Sequence, residues 1–342
     1  MKIAKPIKLA LDTDGGDFGP DVTIAAACDA VMARDDLEII LVAQQDIQSG
    51  YLSKLTASQR ARIHLESAAQ VLESGVGPVA AIRHGNQSTM GRALELVANG
   101  DASACVSAGS TTALIALGIR MIGMLQGLKR PALMGRIPSA SGFTSLLDLG
   151  ANLNADASRL VQFAIMGAVV KGNGDHLAAS VGLLNVGHED NKGHAIVKEA
   201  HERLKQLPLN YRGFIEGNDI FSGRVDVAVC DGFSGNLVLK SAEGLARMLL
   251  DEISNGLKTS LSSRIGAKLA GPALRSALAR FEPAQHNGAP LLGLNGVVIK
   301  SHGAANRQAT LQAIFEGVDE AGKQVPGQIE SLIAEYEAET QS

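Results

Sequence analysis

The chain has 342 residues, room for two average domains or one large α/β domain. With 46% hydrophobic and 19% charged residues it can bury a packed core, which excludes wholesale disorder. A formal net charge of −4, from 31 basic and 35 acidic residues, argues against a global polyanion binder; the absence of Trp, with only 3 Tyr and 8 Phe, argues against an aromatic platform for nucleic acid.

Short apolar runs alternate with longer amphipathic ones along the chain. Residues 7–11 read as a strand, followed by a glycine turn and a helix opening near Pro20 and Asp21. Residues 37–42 and 62–65 are further strands, 90–98 a helix, and 102–107 a buried strand ending in Ala108-Gly109, with a helix from Thr111. Residues 132–137 and 144–149 read as two more strands, the second ending in Gly150-Ala151-Asn152. The rhythm then repeats: helix 157–170, strand 180–184, helix 192–204, strand 225–230 and a long helix 235–253. A last strand at 297–300 precedes a helical C-terminus from Ala304. Alternating elements with near-continuous apolar strands predict a mainly parallel sheet covered on both faces. No fixed-period repeat or low-complexity linker divides the chain, so residues 1–342 are expected to form a single domain.

Cys28, Cys105 and Cys230 are scattered, without a CxxC pair, and read as reduced, buried thiols of a cytosolic protein. The N-terminus lacks the apolar region of a signal peptide, and no uncharged apolar run reaches the roughly 18 residues of a membrane span. The expected location is cytoplasmic, with peripheral contact at the inner face of the cell membrane left open.

In open parallel sheets, ligands sit beyond the carboxyl ends of strands. Five such ends carry polar or glycine-rich turns: Asp12-Thr13-Asp14-Gly15-Gly16-Asp17, Ser107-Ala108-Gly109-Ser110-Thr111, Asp148-Leu149-Gly150-Ala151-Asn152, Asn185-Val186-Gly187-His188-Glu189-Asp190 and Asp231-Gly232-Phe233-Ser234-Gly235-Asn236. Glycines there permit close backbone approach, and following helices offer free N–H groups to an anion. Five turns on one sheet edge would form a polar, phosphate-sized crevice. There is no Walker P-loop, G-x-S-x-G elbow or H-E-x-x-H helix. Gly75-Val76-Gly77-Pro78-Val79-Ala80 matches G-x-G-x-x-A only formally, since it follows no clear strand and contains Pro78. Asp12, Asp14 and Asp17 come from a single turn without converging partners, so no metal or cofactor is expected.

These turns, together with Gly182-Leu183-Leu184-Asn185, Lys192-Gly193, Gly288-Ala289-Pro290-Leu291-Leu292-Gly293-Leu294 and Lys300-Ser301-His302-Gly303, resemble the bacterial phosphate acyltransferases of phospholipid synthesis in order and spacing over about residues 7–320. The resemblance implies a Rossmann-like three-layer α/β/α sandwich, usually a homodimer. It also implies transfer of a fatty acyl group from acyl carrier protein to inorganic phosphate, with the acyl phosphate passing to a glycerol-3-phosphate acyltransferase. Asp14 stands where the family commonly has Met, Ser110 where Asn is usual, Thr112 where Gly is usual, and Asn287 where Gly is common. Asp14 and Ser110 are expected to face the crevice.

Phosphate attack on a thioester requires a held anion and a stabilised oxyanion, but no covalent enzyme intermediate. Lys192, read as opening a helix, is the expected phosphate-binding cation. Asn236, at a helix start, is the expected orienting amide or oxyanion donor, with helix capping as its simpler role. Asp231 is expected to orient Lys192 or to form the turn. Expected phosphate and substrate contacts are Gly15, Gly16, Asp17, Ser107, Gly109, Ser110, Asn152, His188, Gly235 and His302. Competing readings are a phosphate acetyltransferase or a metal- and nicotinamide-dependent 2-hydroxyacid dehydrogenase on the same fold, and a non-catalytic membrane-associated scaffold. The dehydrogenase lacks its Arg and Asp clusters here, and the Lys192, Asp231 and Asn236 set disfavours the scaffold.

Residues 253–281 carry Lys258, Arg264, Lys268, Arg275 and Arg280 and no acid. Leu257, Leu261, Ile265 and Leu269 recur at four-residue steps, and Pro272 can open a second helix bearing Leu274, Leu278 and Phe281. A projecting helical hairpin is expected, suited to acidic acyl carrier protein or an anionic membrane, with dimer packing as the plainer reading.

Overall fold

A computed structural model describes residues 6–44, 50, 52–73, 75–173, 175–279, 283–323 and 325–341. The strands are β1 (Ile7–Asp12), β2 (Leu37–Ala43), β3 (Ile63–Ser67), β4 (Ala104–Ser107), β5 (Ala132–Ser139), β6 (Gly142–Leu147), β7 (Val181–Leu184), β8 (Tyr211–Ile215), β9 (Val227–Val229), β10 (Ala289–Leu292) and β11 (Val297–Lys300). They form an 11-stranded sheet in the order β3-β2-β1-β4-β11-β10-β5-β6-β9-β7-β8. Strands such as β1, β2 and β4 are apolar nearly throughout because helices cover both of their faces.

Helices Gly19–Ala33 and Arg307–Gly322 pack on one face against Leu9, Leu11, Ile39 and Val106. Thr89–Ala98 and Thr111–Met121 pack on the other, against Ala10, Val42 and Cys105. Ala157–Lys171 is apolar almost all round, as a helix must be when it lies between a sheet and an outer helical layer. Its Phe163 and Met166 pack with Leu147, Val227 and Ile329, the last from helix Val325–Gln341. Cys28, Cys105 and Cys230 are buried free thiols, as read from their scatter.

The sheet is mainly parallel but reverses direction at its centre. β1, β2, β3, β4 and β11 run parallel to one another. β10 is antiparallel to both β11 and β5, and β5 forms an antiparallel hairpin with β6. β6, β9, β7 and β8 are then parallel to one another, opposed to the first group. The five turns therefore lie on two opposite sheet edges, which corrects the expectation of a single edge. The cause is the two-residue link between β5 and β6, too short for the crossover that a parallel pair needs.

Other differences are local. β8 and β10 have no counterpart in the periodicity. β8 is interrupted by Gly213 (φ +86°) at a register shift against β7, and β10 contains Pro290, a residue that normally argues against an interior strand. Within residues 253–281 the expected break at Pro272 is absent: helix Gly232–Gly256 ends in this segment, and Leu261–Ala279 is a single helix with Pro272 inside it, so Pro272 does not open a second helix. Arg280 and Phe281 lie outside the described residues. Along these helices Leu245, Met248, Leu249, Ile253, Ile265 and Leu269 are exposed. Among the described residues, no helix is long and apolar enough to cross a membrane.

Candidate active site

At the first edge, the ends of β1, β4 and β11 converge. Asp12 is fully buried, and its Oδ2 accepts from Ser107 Oγ at 2.6 Å; Ser107 Oγ in turn accepts from Gly109 N at 3.1 Å. Its Oδ1 is buried without a hydrogen-bond partner. Burial pushes the Asp12 carboxyl above its ordinary range, against the hydrogen bond from Ser107. Glycine is required beside it: a Cβ on Gly15 would lie 2.6 Å from Asp12 Oδ2 and 2.9 Å from Gly109 N. Gly16, at φ +87°, passes so close to Gly303 that a Cβ would lie 2.8 Å from its carbonyl oxygen. Asp17 N donates to the same oxygen at 2.8 Å.

Lys300, the last residue of β11, brings its ammonium into this junction, donating to Ala108 O at 3.4 Å and to Ser301 O. Burial lowers its pKa to about 8, opposed by Asp12 and Asp17 and assisted by Lys240. His302 lies at the exposed rim, where partial burial and Lys240 push its imidazole below the ordinary range. Ser110 caps helix Thr111–Met121, accepting from Ala113 N at 3.4 Å. Asp14 is turned away from its expected position: its Oδ2 accepts from Gln44 N and Thr13 Oγ1 at the β2 end.

Asn287 ties down the loop after β11. Its amide donates to Ser301 Oγ at 2.7 Å and Ala309 O at 2.8 Å, while its Oδ1 accepts from His302 N at 2.8 Å. Asn287→Gly, which restores the common family residue, is expected to cost about 2 kcal/mol of stability, the scale of losing such partly buried bonds. A lowered denaturation midpoint would show this; an unchanged midpoint would mean that water replaces the amide without loss.

The second edge gathers the ends of β6, β9 and β7. Asp148 is buried and accepts from Leu133 N, Gly150 N, Ala151 N, Asn152 N and Asn152 Nδ2 at 2.6 to 3.3 Å. Asn152 is buried too, its amide also reaching Pro131 O at 2.8 Å, so it fixes the turn instead of facing a ligand. Asp231 Oδ1 accepts from Ser234 N at 2.7 Å, capping helix Gly232–Gly256. Gly235 is buried against the Asp148 carbonyl, which lets the helix start sit on the turn. Asn236 is exposed next to Gly150, which adopts φ +124°.

Lys192 lies in the loop after β7, with its ammonium 3.0 Å from Glu189 Oε1 and its carbonyl accepting from Asn185 Nδ2. Helix Ala195–Leu204 begins three residues later than expected, because Gly193 at φ +89° interrupts the chain, so Lys192 does not oppose a helix dipole. The Lys192 ammonium holds the Glu189 carboxyl below its ordinary range. His188 joins an ion cluster, with Asp219 at 2.7 Å, Glu216 at 3.5 Å and Arg224 at 2.9 Å. Its ring is already engaged by these partners.

Helix Gly232–Gly256 links the two edges. Asn236, Lys240 and Glu243 follow one another at helical spacing, from Gly150 toward the groups that act on Lys300 and His302. Asp12 and Lys300 lie at the first junction but are absent from the expected set. A lysine ending a buried parallel strand, beside a turn of three acids, is the signal that marks them.

Residues 7–328 match the family described as Fatty acid synthesis protein. A phosphate acyltransferase from Shewanella pealeana is 43% identical over 330 residues, covering 96% of both chains. The phosphate acyltransferase of Methylococcus capsulatus is 42% identical over 322 residues, covering 94% of this chain and 95% of its own. The chain belongs to the phosphate acyltransferase family. Its fold is also that of a phosphotransacetylase from Streptococcus pyogenes, with a TM-score of 0.60, 17% identity, and coverage of 94% of this chain and 95% of that one. Membership of the phosphate acyltransferase family supports acyl transfer to phosphate, and the ordered turns quoted from the sequence fall within the matched residues.

Proposed function

We propose that this protein transfers a long-chain fatty acyl group from acyl carrier protein to inorganic phosphate, releasing free carrier protein and an acyl phosphate for glycerol-3-phosphate acylation. The observation that carries this reading is the full-length similarity to phosphate acyltransferases. The chemistry fits the two edges. A phosphate oxygen bonds to the thioester carbonyl carbon, the carbon–sulfur bond breaks, and the carrier thiolate leaves and takes up a proton. Asn236, exposed just after the first turn of a capped helix, supplies an amide for the developing oxyanion. Lys192 supplies a cation on the same edge, free to exchange Glu189 for a substrate anion. The basic segment 253–281, with Ile265 and Leu269 exposed, would suit docking of acyl carrier protein, packing of a second copy and contact with an anionic membrane surface.

The test is direct. Incubation with long-chain acyl carrier protein is expected to yield acyl phosphate only when phosphate is present, without nucleotide or divalent metal. Strong stimulation by NAD, or complete loss with a chelator, would overturn the proposal.

A further inference from the structure

We propose that Lys300, at the junction where β1, β4 and β11 end, contacts the phosphate that attacks the acyl donor. This rests on the acyl-transfer reading given above and adds a residue to it. Three features carry it. The Lys300 ammonium lies where the Gly15-Gly16, Ala108-Gly109 and Ser301-Gly303 backbones meet, close enough that added Cβ atoms on Gly15 and Gly16 would collide with their neighbours. Asp12, fixed by Ser107 at the same junction and acting on Lys300 through its charge, has one buried oxygen still lacking a partner. Helix Thr111–Met121, of 11 residues, starts beside this junction and adds the positive end of its dipole.

The titratable groups around Lys300 sit on three elements: Asp12 and Asp17 at the β1 turn, Lys240 on helix Gly232–Gly256, and His302 on its own loop. The acids favour its charged form, whereas burial and Lys240 disfavour it. The cation that would hold phosphate is therefore present below about pH 8 and lost above it. Because the pH profile of kcat/KM reports ionisations of the free enzyme, this loss belongs on the alkaline limb for phosphate.

Steady-state kinetics from pH 6 to 10, with calorimetric titration of inorganic phosphate in the absence of acyl donor, test the assignment. The parent enzyme is expected to show an alkaline limb in kcat/KM for phosphate near pH 8. Lys300→Arg should remove that limb from the measured range, since guanidinium stays charged. Lys240→Met should move it to higher pH and Asp12→Asn to lower pH. Lys300→Met should raise the phosphate KM about tenfold or more, the scale of losing one charge-assisted contact, and weaken calorimetric binding in parallel. An unchanged limb in Lys300→Arg, or an unchanged phosphate KM in folded Lys300→Met, would overturn the assignment while leaving acyl transfer intact. Lysine-dependent phosphate binding by a protein that forms no acyl phosphate would instead overturn the acyl-transfer reading and keep the phosphate site.

Discussion

Asn236→Ala is expected to slow acyl phosphate formation about a hundredfold, the scale of removing one oxyanion donor from a preorganised site. The side chain is exposed at the start of a helix that Asp231 already caps, so its loss leaves the core and the cap in place. The melting temperature should therefore stay close to that of the parent, and the effect should appear in kcat more than in KM. Lys192→Ala is expected to match it in size through a different parameter. An ammonium that holds ground-state phosphate raises KM when removed, whereas an amide that meets only the oxyanion lowers kcat. Near-parent turnover in Asn236→Ala would reduce that residue to a solvated position on the helix surface.

Gly235→Ala is expected to cost about 3 kcal/mol or more, at the upper end of overpacking. The new methyl would collide with the Asp148 carbonyl oxygen and lie 3.1 Å from Cys230 Sγ. The carbonyl belongs to a turn that five hydrogen bonds to the Asp148 carboxylate hold rigid, so the helix start must move instead. That movement displaces Asn236, the next residue, and activity should fall with stability. Denaturant titration of the variant beside Asn236→Ala separates the two: one loses stability and rate together, the other loses rate alone. A parent-like denaturation midpoint in Gly235→Ala would mean that the helix can slide on its turn without loss.

The strands that were readable in the sequence are those buried on both faces, because continuous apolar runs bounded by glycine turns have few other readings. β1, β2, β4 and β11 belong to this group. β8 and β10 escaped because Gly213 and Pro290 break their pattern locally, while pairing with neighbours restores them as strands. The reversal at β5 and β6 was hidden for another reason: apolar periodicity carries no information about strand direction. Only the length of the connection carries it, and the segment from Pro138 to Phe143, without apolar periodicity, is mostly strand in the structure. For the site, glycine turns pointed to the right loops but not to the burial of individual side chains. Ser107 and Asn152 face inward to hold Asp12 and Asp148, and Lys300 was passed over because lysines usually lie on the surface.

The two outermost strands limit how this molecule can associate. β3 ends the sheet with His64 and Leu65 exposed; His64 is engaged with Glu38 of the neighbouring strand at 3.0 Å, and the half-buried Glu66 pairs with Arg92 at 2.8 Å. β8 ends the other side with a register shift, the exposed Arg212 and the left-handed Gly213. Charge on one border and a bulge on the other deny an incoming strand a flat, unpaired ladder of N–H and C=O groups. Copies of the chain cannot readily lengthen the sheet end to end. Association is left to the helical surfaces, so a change in assembly state can proceed without disturbing the hydrogen bonding of the sheet.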